Sequence, residues 1–154
     1  MNIIFDLSGV LFGTQAAEPC SAQSRFACAL RPVNPAISMR LLSDCANNGH
    51  RLFVISNLTN ETFEFLKADP QGARLFSYFE DIILSDTVGI KKPNPGIFHY
   101  LLEKHQLEAQ DSVFIDDQII NLEAAQQAGI TKGILCDNFN FTSIRNQLET
   151  HGAL

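Results

Sequence analysis

Short, unbroken apolar runs recur along the chain, and amphipathic stretches separate them. The first, Asn2 to Asp6, is apolar from Ile3 to Phe5 and ends on a charge. Arg51 to Ile55, Asp81 to Leu84, Ser112 to Ile115 and Lys132 to Cys136 repeat that form. A half-exposed strand alternates apolar and polar residues, whereas runs like these belong to strands buried on both faces. Between them the period becomes helical. Ile37, Leu41, Leu42 and Cys45 share one helix face, opened by Pro35 with Asn34 as N-cap and closed by Gly49. Further helices are expected at Thr59 to Lys67 (Phe63 and Leu66 on one face), Pro95 to His105, Asn121 to Ala128 and Thr142 to Thr150, and loosely around Ala73 to Tyr78. Ser21 to Leu30 is helix-like, and Lys91 to Pro95 reads as a loop. Strands alternating with helices predict an α/β fold whose five-stranded, mostly parallel sheet is covered on both sides.

Composition narrows the class. With 154 residues, 45% hydrophobic and 18% charged, the chain fits one folded domain spanning 1–154. A net charge of −6 argues against nucleic acid and membrane surfaces as partners, since both call for a basic face. No apolar run approaches the ~20 residues of a membrane-spanning helix. The N-terminal residues carry no basic or signal-like stretch, so a cytoplasmic location is expected. Cys20, Cys28, Cys45 and Cys136 form no Cys-x-x-Cys pair and read as reduced, mostly buried thiols. His50, His99, His105 and His151 have no recurring spacing and read as surface or packing residues.

In open parallel sheets the ligand crevice lies beyond the carboxyl ends of the strands. There the first strand delivers Asp6, the second Ser56, the loop after the third Lys91 and Lys92, and the fourth Asp116 and Asp117. Three carboxylates gathered at one edge repel unless a cation sits among them. A hard cation such as Mg²⁺ suits oxygen ligands, and a lysine with a hydroxyl suits a phosphoryl group. Taken singly, Ser56 could begin a turn and the lysines could be a charged loop. Asp6 is harder to dismiss, because a carboxylate flanked by Phe5 and Leu7 is costly without a partner.

Four segments, in this order and each at a strand end, resemble the haloacid dehalogenase (HAD) superfamily: FDLSGVLF (Phe5 to Phe12), VISN (Val54 to Asn57), GIKKPNPGIF (Gly89 to Phe98) and FIDDQIINLEAAQQAGI (Phe114 to Ile130). The resemblance implies a Rossmannoid three-layer sandwich and a Mg²⁺-dependent phosphatase. It implies Asp6 as the nucleophile that forms an aspartyl-phosphate and Ser56 as the hydroxyl on the phosphoryl group. Lys92 matches the family lysine, with Lys91 a solvated neighbour. Asp117 matches the main Mg²⁺ ligand, and Asp116 a second ligand or outer partner. Asp6 and the Ser8 carbonyl complete the metal shell, and Gly9 suits the turn after the strand. Asn57, with Ser8, Ser56 and Lys92, is expected around the phosphate, and Asn121 near the pocket.

The chain departs from the family pattern twice. Ser8 stands where most family phosphatases have a second aspartate, an acid/base worth ~10²–10⁴ in rate. A sugar-phosphate phosphatase and soluble epoxide hydrolase N-domain subgroup also carries small residues there, so slow phosphatase activity is expected. The second departure is the insert. Fifty residues separate Asp6 from Ser56, and Leu7 to Asn34 is all that remains for a cap, with residues 13–34 its reduced form. That length is too short for a four-helix cap, so the cap is expected to be minimal or absent. An open site points to a larger substrate, a partner that supplies the lid, or poor selectivity; the expected partners are a small phosphate ester or a phosphorylated macromolecule, with a second copy or another partner as the lid. Two alternatives remain: a HAD-fold binding or regulatory protein with weakened catalysis, and a dehalogenase, which the paired Asp116 and Asp117 disfavour.

Overall fold

A computed structural model describes residues 1–14 and 30–154. Five strands form one fully parallel sheet: β1 (Asn2–Phe5), β4 (Arg51–Ser56), β5 (Asp81–Leu84), β6 (Ser112–Asp116) and β7 (Lys132–Leu135), in the order β5-β4-β1-β6-β7. Two three-residue strands, β2 (Phe12–Thr14) and β3 (Leu30–Pro32), pair antiparallel beside it. The helices are α1 (Pro35–Asn47), α2 (Asn60–Ala68), α3 (Pro70–Phe76), α4 (Ser85–Val88), α5 (Gly96–His105), α6 (Ile119–Gln127) and α7 (Phe141–Thr150), with a 3₁₀ turn at Ala109–Asp111. None of them is long and apolar enough to cross a membrane.

The unbroken apolar runs follow from burial on two sides. Successive residues of a strand point to opposite faces. Ile3, Phe5, Leu52, Val54, Val113 and Ile115 pack with Leu41, Leu42 and Cys45 of α1 and Ile144 and Leu148 of α7. Ile4, Phe53, Ile55 and Phe114 pack instead with Ile97, Phe98 and Leu101 of α5 and Ala124 and Ala125 of α6. Both sheet faces therefore need apolar residues, and no position is left for alternation. Phe98 meets Phe114 edge to face, with ring centroids 4.9 Å apart.

Topology places the crevice. From the central β1 the chain moves to β4 and β5 on one side, then returns to β6 and β7 on the other. The reversal opens a gap above the carboxyl ends of β4, β1 and β6.

Several sequence expectations change. Asn34 precedes α1 but sits in the left-handed region at φ 42° and makes no side-chain cap bond. Ile37 is 55% exposed, so it leaves the apolar face completed by Leu41, Leu42 and Cys45. The helix-like reading of Ser21 to Leu30 lies outside the described residues except at Leu30, which opens β3. Cys20 and Cys28 also lie outside them, as does most of the 13–34 insert. Cys45 and Cys136 are buried free thiols, and burial pushes both up to about 11, away from the reactive thiolate.

Phe98→Ala empties a fully buried position against Phe114. It is expected to cost about 3–5 kcal/mol in urea unfolding.

Candidate functional site

Asp6 directly follows β1, and its N–H still donates to Ile115 O of β6 at 2.9 Å, so the sheet carries the residue to the rim. Ser56 ends β4 and Asp116 ends β6. Lys92 arrives from the loop between α4 and α5. Its ammonium bridges Asp6 Oδ1 at 2.9 Å and Asp116 Oδ2 at 2.7 Å, with all three side chains buried. The same ammonium stands 5.4 Å above the Phe114 ring. Lys91, by contrast, is exposed.

Asp116 is saturated with donors. Gln118 N–H donates to Oδ1 at 2.8 Å, and the Asn121 amide donates to Oδ1 at 3.0 Å and Oδ2 at 3.1 Å. Asn121 lies three residues into α6 and is itself buried. Asp117 is the exposed member of the pair, and its carboxylate rests against Gly9. Gly9 has φ 90°, and a Cβ there would overlap that carboxylate. Glycine thus serves both the turn after β1 and the approach of Asp117.

One oxygen from each of Asp6, Asp116 and Asp117 lies within 4.8 Å of the others. Three carboxylates against one ammonium leave a formal charge of −2. Among the described residues no hydrogen bond reaches the Ser8 carbonyl. All-oxygen donors and a charge of −2 fit Mg²⁺. The cavity is small, about 280 Å³, and brings Asp6, Ser8, Ser56, Lys92 and Asp117 together, with Leu58 and Gln118 at its wall. Ser56 Oγ accepts from Leu58 N–H at 3.3 Å and keeps its hydroxyl hydrogen for a ligand.

Asn57 also lines this cavity, but its amide is turned to the protein. Its Oδ1 accepts from Lys92 N–H at 2.9 Å, and its Nδ2 donates to Lys92 O at 3.0 Å. The sequence reading expects Asn57 around the phosphate; it lines the cavity there, and Oδ1 and one Nδ2 hydrogen of its amide bond the backbone of Lys92. Sequence reasoning also missed Gln118, whose contribution is a backbone N–H with no side-chain signature.

Burial pushes the Asp6 carboxyl up to about 6; the Lys92 ammonium opposes the rise and the Asp116 charge adds to it. Burial, then the Asp116 charge, likewise raises Asp117. Far from the site, burial tends to raise Asp81, but Lys104 and His105 hold it below its usual range. Arg51 does the same for Glu80.

Residues 33–134 match the family described as "Haloacid dehalogenase-like hydrolase". A phosphoglycolate phosphatase from Vibrio cholerae is 32% identical over 90 residues, 58% of this chain and 37% of that protein. The chain thus spans little more than a third of the length of that relative. Among solved structures, one described as a predicted HAD-like family hydrolase from Porphyromonas gingivalis superposes with TM-score 0.77 at 20% identity, over 96% of this chain and 97% of that one. A HAD family enzyme from Bacteroides thetaiotaomicron, solved with magnesium and inorganic phosphate, superposes with TM-score 0.74 at 18% identity, over 88% and 93%.

The raised Asp6 and Asp117 make the fold bind protons more tightly than the unfolded chain. Asp6's contribution to stability is complete below its ordinary value of 3.8 and lost as pH rises through about 6. Asp81 and Glu80 act oppositely, but only near and below their ordinary 3.8 and 4.5. The metal-free chain is therefore expected to gain melting temperature between about pH 7.5 and pH 5, and Asp6→Asn to shrink that gain. Equal gains in the two proteins would refute the assignment.

Proposed function

The chain belongs to the haloacid dehalogenase-like hydrolase family, and on that footing we propose that its site hydrolyses phosphate monoesters with Mg²⁺. The carrying observation is the buried Lys92 ammonium between Asp6 and Asp116, with Asp117 and the Ser56 hydroxyl beside it. Relatives named as phosphoglycolate phosphatases support this reading, as does a structural neighbour that holds magnesium and phosphate.

Lys92 holds one oxygen of Asp6 and so fixes the plane of the nucleophilic carboxylate. An Asp6 oxygen bonds to phosphorus as the bond to the leaving alcohol breaks, giving an aspartyl-phosphate. Water then attacks that phosphorus, releasing inorganic phosphate and regenerating Asp6. Ser56 donates its hydroxyl hydrogen to a phosphoryl oxygen, and Lys92 offsets charge there. Mg²⁺ held by Asp6, Asp117 and the Ser8 carbonyl would neutralise the transferring group. Asp116, already saturated by Lys92, Asn121 and Gln118, serves as the anchor of Lys92. Ser8 brings no carboxyl to the leaving oxygen, so water supplies that proton. Alkyl esters are therefore slow and aryl or acyl phosphates faster. A cavity of about 280 Å³ takes the phosphoryl group together with a small organic group, and a larger substrate extends beyond it.

The protein is expected to hydrolyse p-nitrophenyl phosphate in Mg²⁺, and Asp6→Asn to abolish this. A clean wild-type preparation that binds Mg²⁺ without turnover would sink the phosphatase reading. Ser8→Asp is expected to raise turnover of an alkyl phosphate; no gain would clear Ser8 of limiting the rate. Gly9→Ala pushes on Asp117 and is expected to weaken Mg²⁺ binding roughly 10–100-fold by calorimetry.

A further inference from the structure

We propose that Asn57 is a positioning residue that sets Lys92 against Asp6 and does not itself hold the phosphoryl group; this deepens, and rests on, the phosphatase reading above. Asn57 directly follows Ser56 and lines the cavity, so a ligand contact is its simplest role from sequence. Its hydrogen bonds point elsewhere. Lys92 N–H donates to Oδ1 at 2.9 Å, and Nδ2 donates to Lys92 O at 3.0 Å. The two bonds close a ring like that of a paired strand, across 35 residues of sequence. Only one orientation of the amide satisfies both, because the backbone offers one donor and one acceptor.

The surrounding loop gives Lys92 little else to hold it. Pro93 has no N–H, and the neighbouring turn bond runs from Asn94 N–H to Lys91 O. Among the described residues, no other hydrogen bond reaches the backbone of Lys92. At the far end of this side chain, the ammonium must stand 2.9 Å from Asp6 and 2.7 Å from Asp116. A long flexible stem holds that position only if its root is fixed. Asn57 fixes the root from the end of β4, one residue from Ser56. The strand that carries the phosphate-side hydroxyl therefore also sets the lysine.

The test measures kcat and KM for p-nitrophenyl phosphate with Mg²⁺ in wild type, Asn57→Ala, Lys92→Ala and the double variant. Asn57→Ala is expected to lower kcat roughly 10–100-fold. In the Lys92→Ala background it should cost nothing more, because its effect passes through the lysine. Losses that multiply in the double variant would show Asn57 acting on the phosphoryl group and overturn the proposal. A second arm needs no turnover: NMR of the Lys92 ammonium, identified by its absence in Lys92→Ala. Wild type should give a slowly exchanging signal that Asn57→Ala shifts or broadens. An unchanged signal overturns the proposal whatever the activity. A changed signal in a chain that hydrolyses nothing would refute the phosphatase reading and leave the positioning role standing. Should Asn57→Ala not fold, Asn57→Asp, which keeps the acceptor for Lys92 N–H and loses the donor, makes the same comparisons.

Discussion

A single buried ammonium holds the rim of this sheet together. Lys92 stands between Asp6 at the end of β1 and Asp116 at the end of β6, and each group would be costly to bury alone. Burying ions costs several kcal/mol apiece, and well-packed apolar residues would serve the fold as well or better. The cluster is therefore poorly explained by stability. It is well explained by the need for a carboxylate that points one way and has a positive charge beside it.

Two neutral amides complete that arrangement from opposite sides. Asn121 holds the carboxylate of Asp116, and Asn57 holds the backbone of Lys92. Amides donate and accept without changing the charge of the cluster. A lysine in place of Asn121 would bring a second ammonium to Asp116 and cut the charge available to a divalent cation. An aspartate there would leave Asp116 facing another anion. Fixing charged groups with uncharged ones keeps the formal −2 intact.

Much of this was legible in the sequence, for identifiable reasons. A strand buried on both faces announces itself as an unbroken apolar run, and a polar residue at its end then stands out. Asp6, Ser56, Asp116 and Asp117 were readable on that ground, and all four lie at the carboxyl rim of the sheet. Lys92 follows no strand directly, and the family resemblance, not the strand pattern, separated it from Lys91. Other features left weak traces. β2 and β3 have three residues each and α4 has four, too few for a period to emerge. Asn34 has the right residue type for a cap, but its left-handed backbone turns the side chain away from the role. Ile37 keeps helical spacing with Leu41, yet it is an exposed residue on α1. The partner of Asn57 lies 35 residues away and is a backbone, which no motif records.

The small ribbon of β2 and β3 has an architectural consequence. Thr14 pairs with Leu30, so the intervening segment leaves and returns at one pinned point. Closing a loop on such a point costs only logarithmically with its length. Thr14 and Leu30 thus hold the two ends of that segment together, and the strand pair makes its length a weak term in the stability of the sheet that carries Asp6.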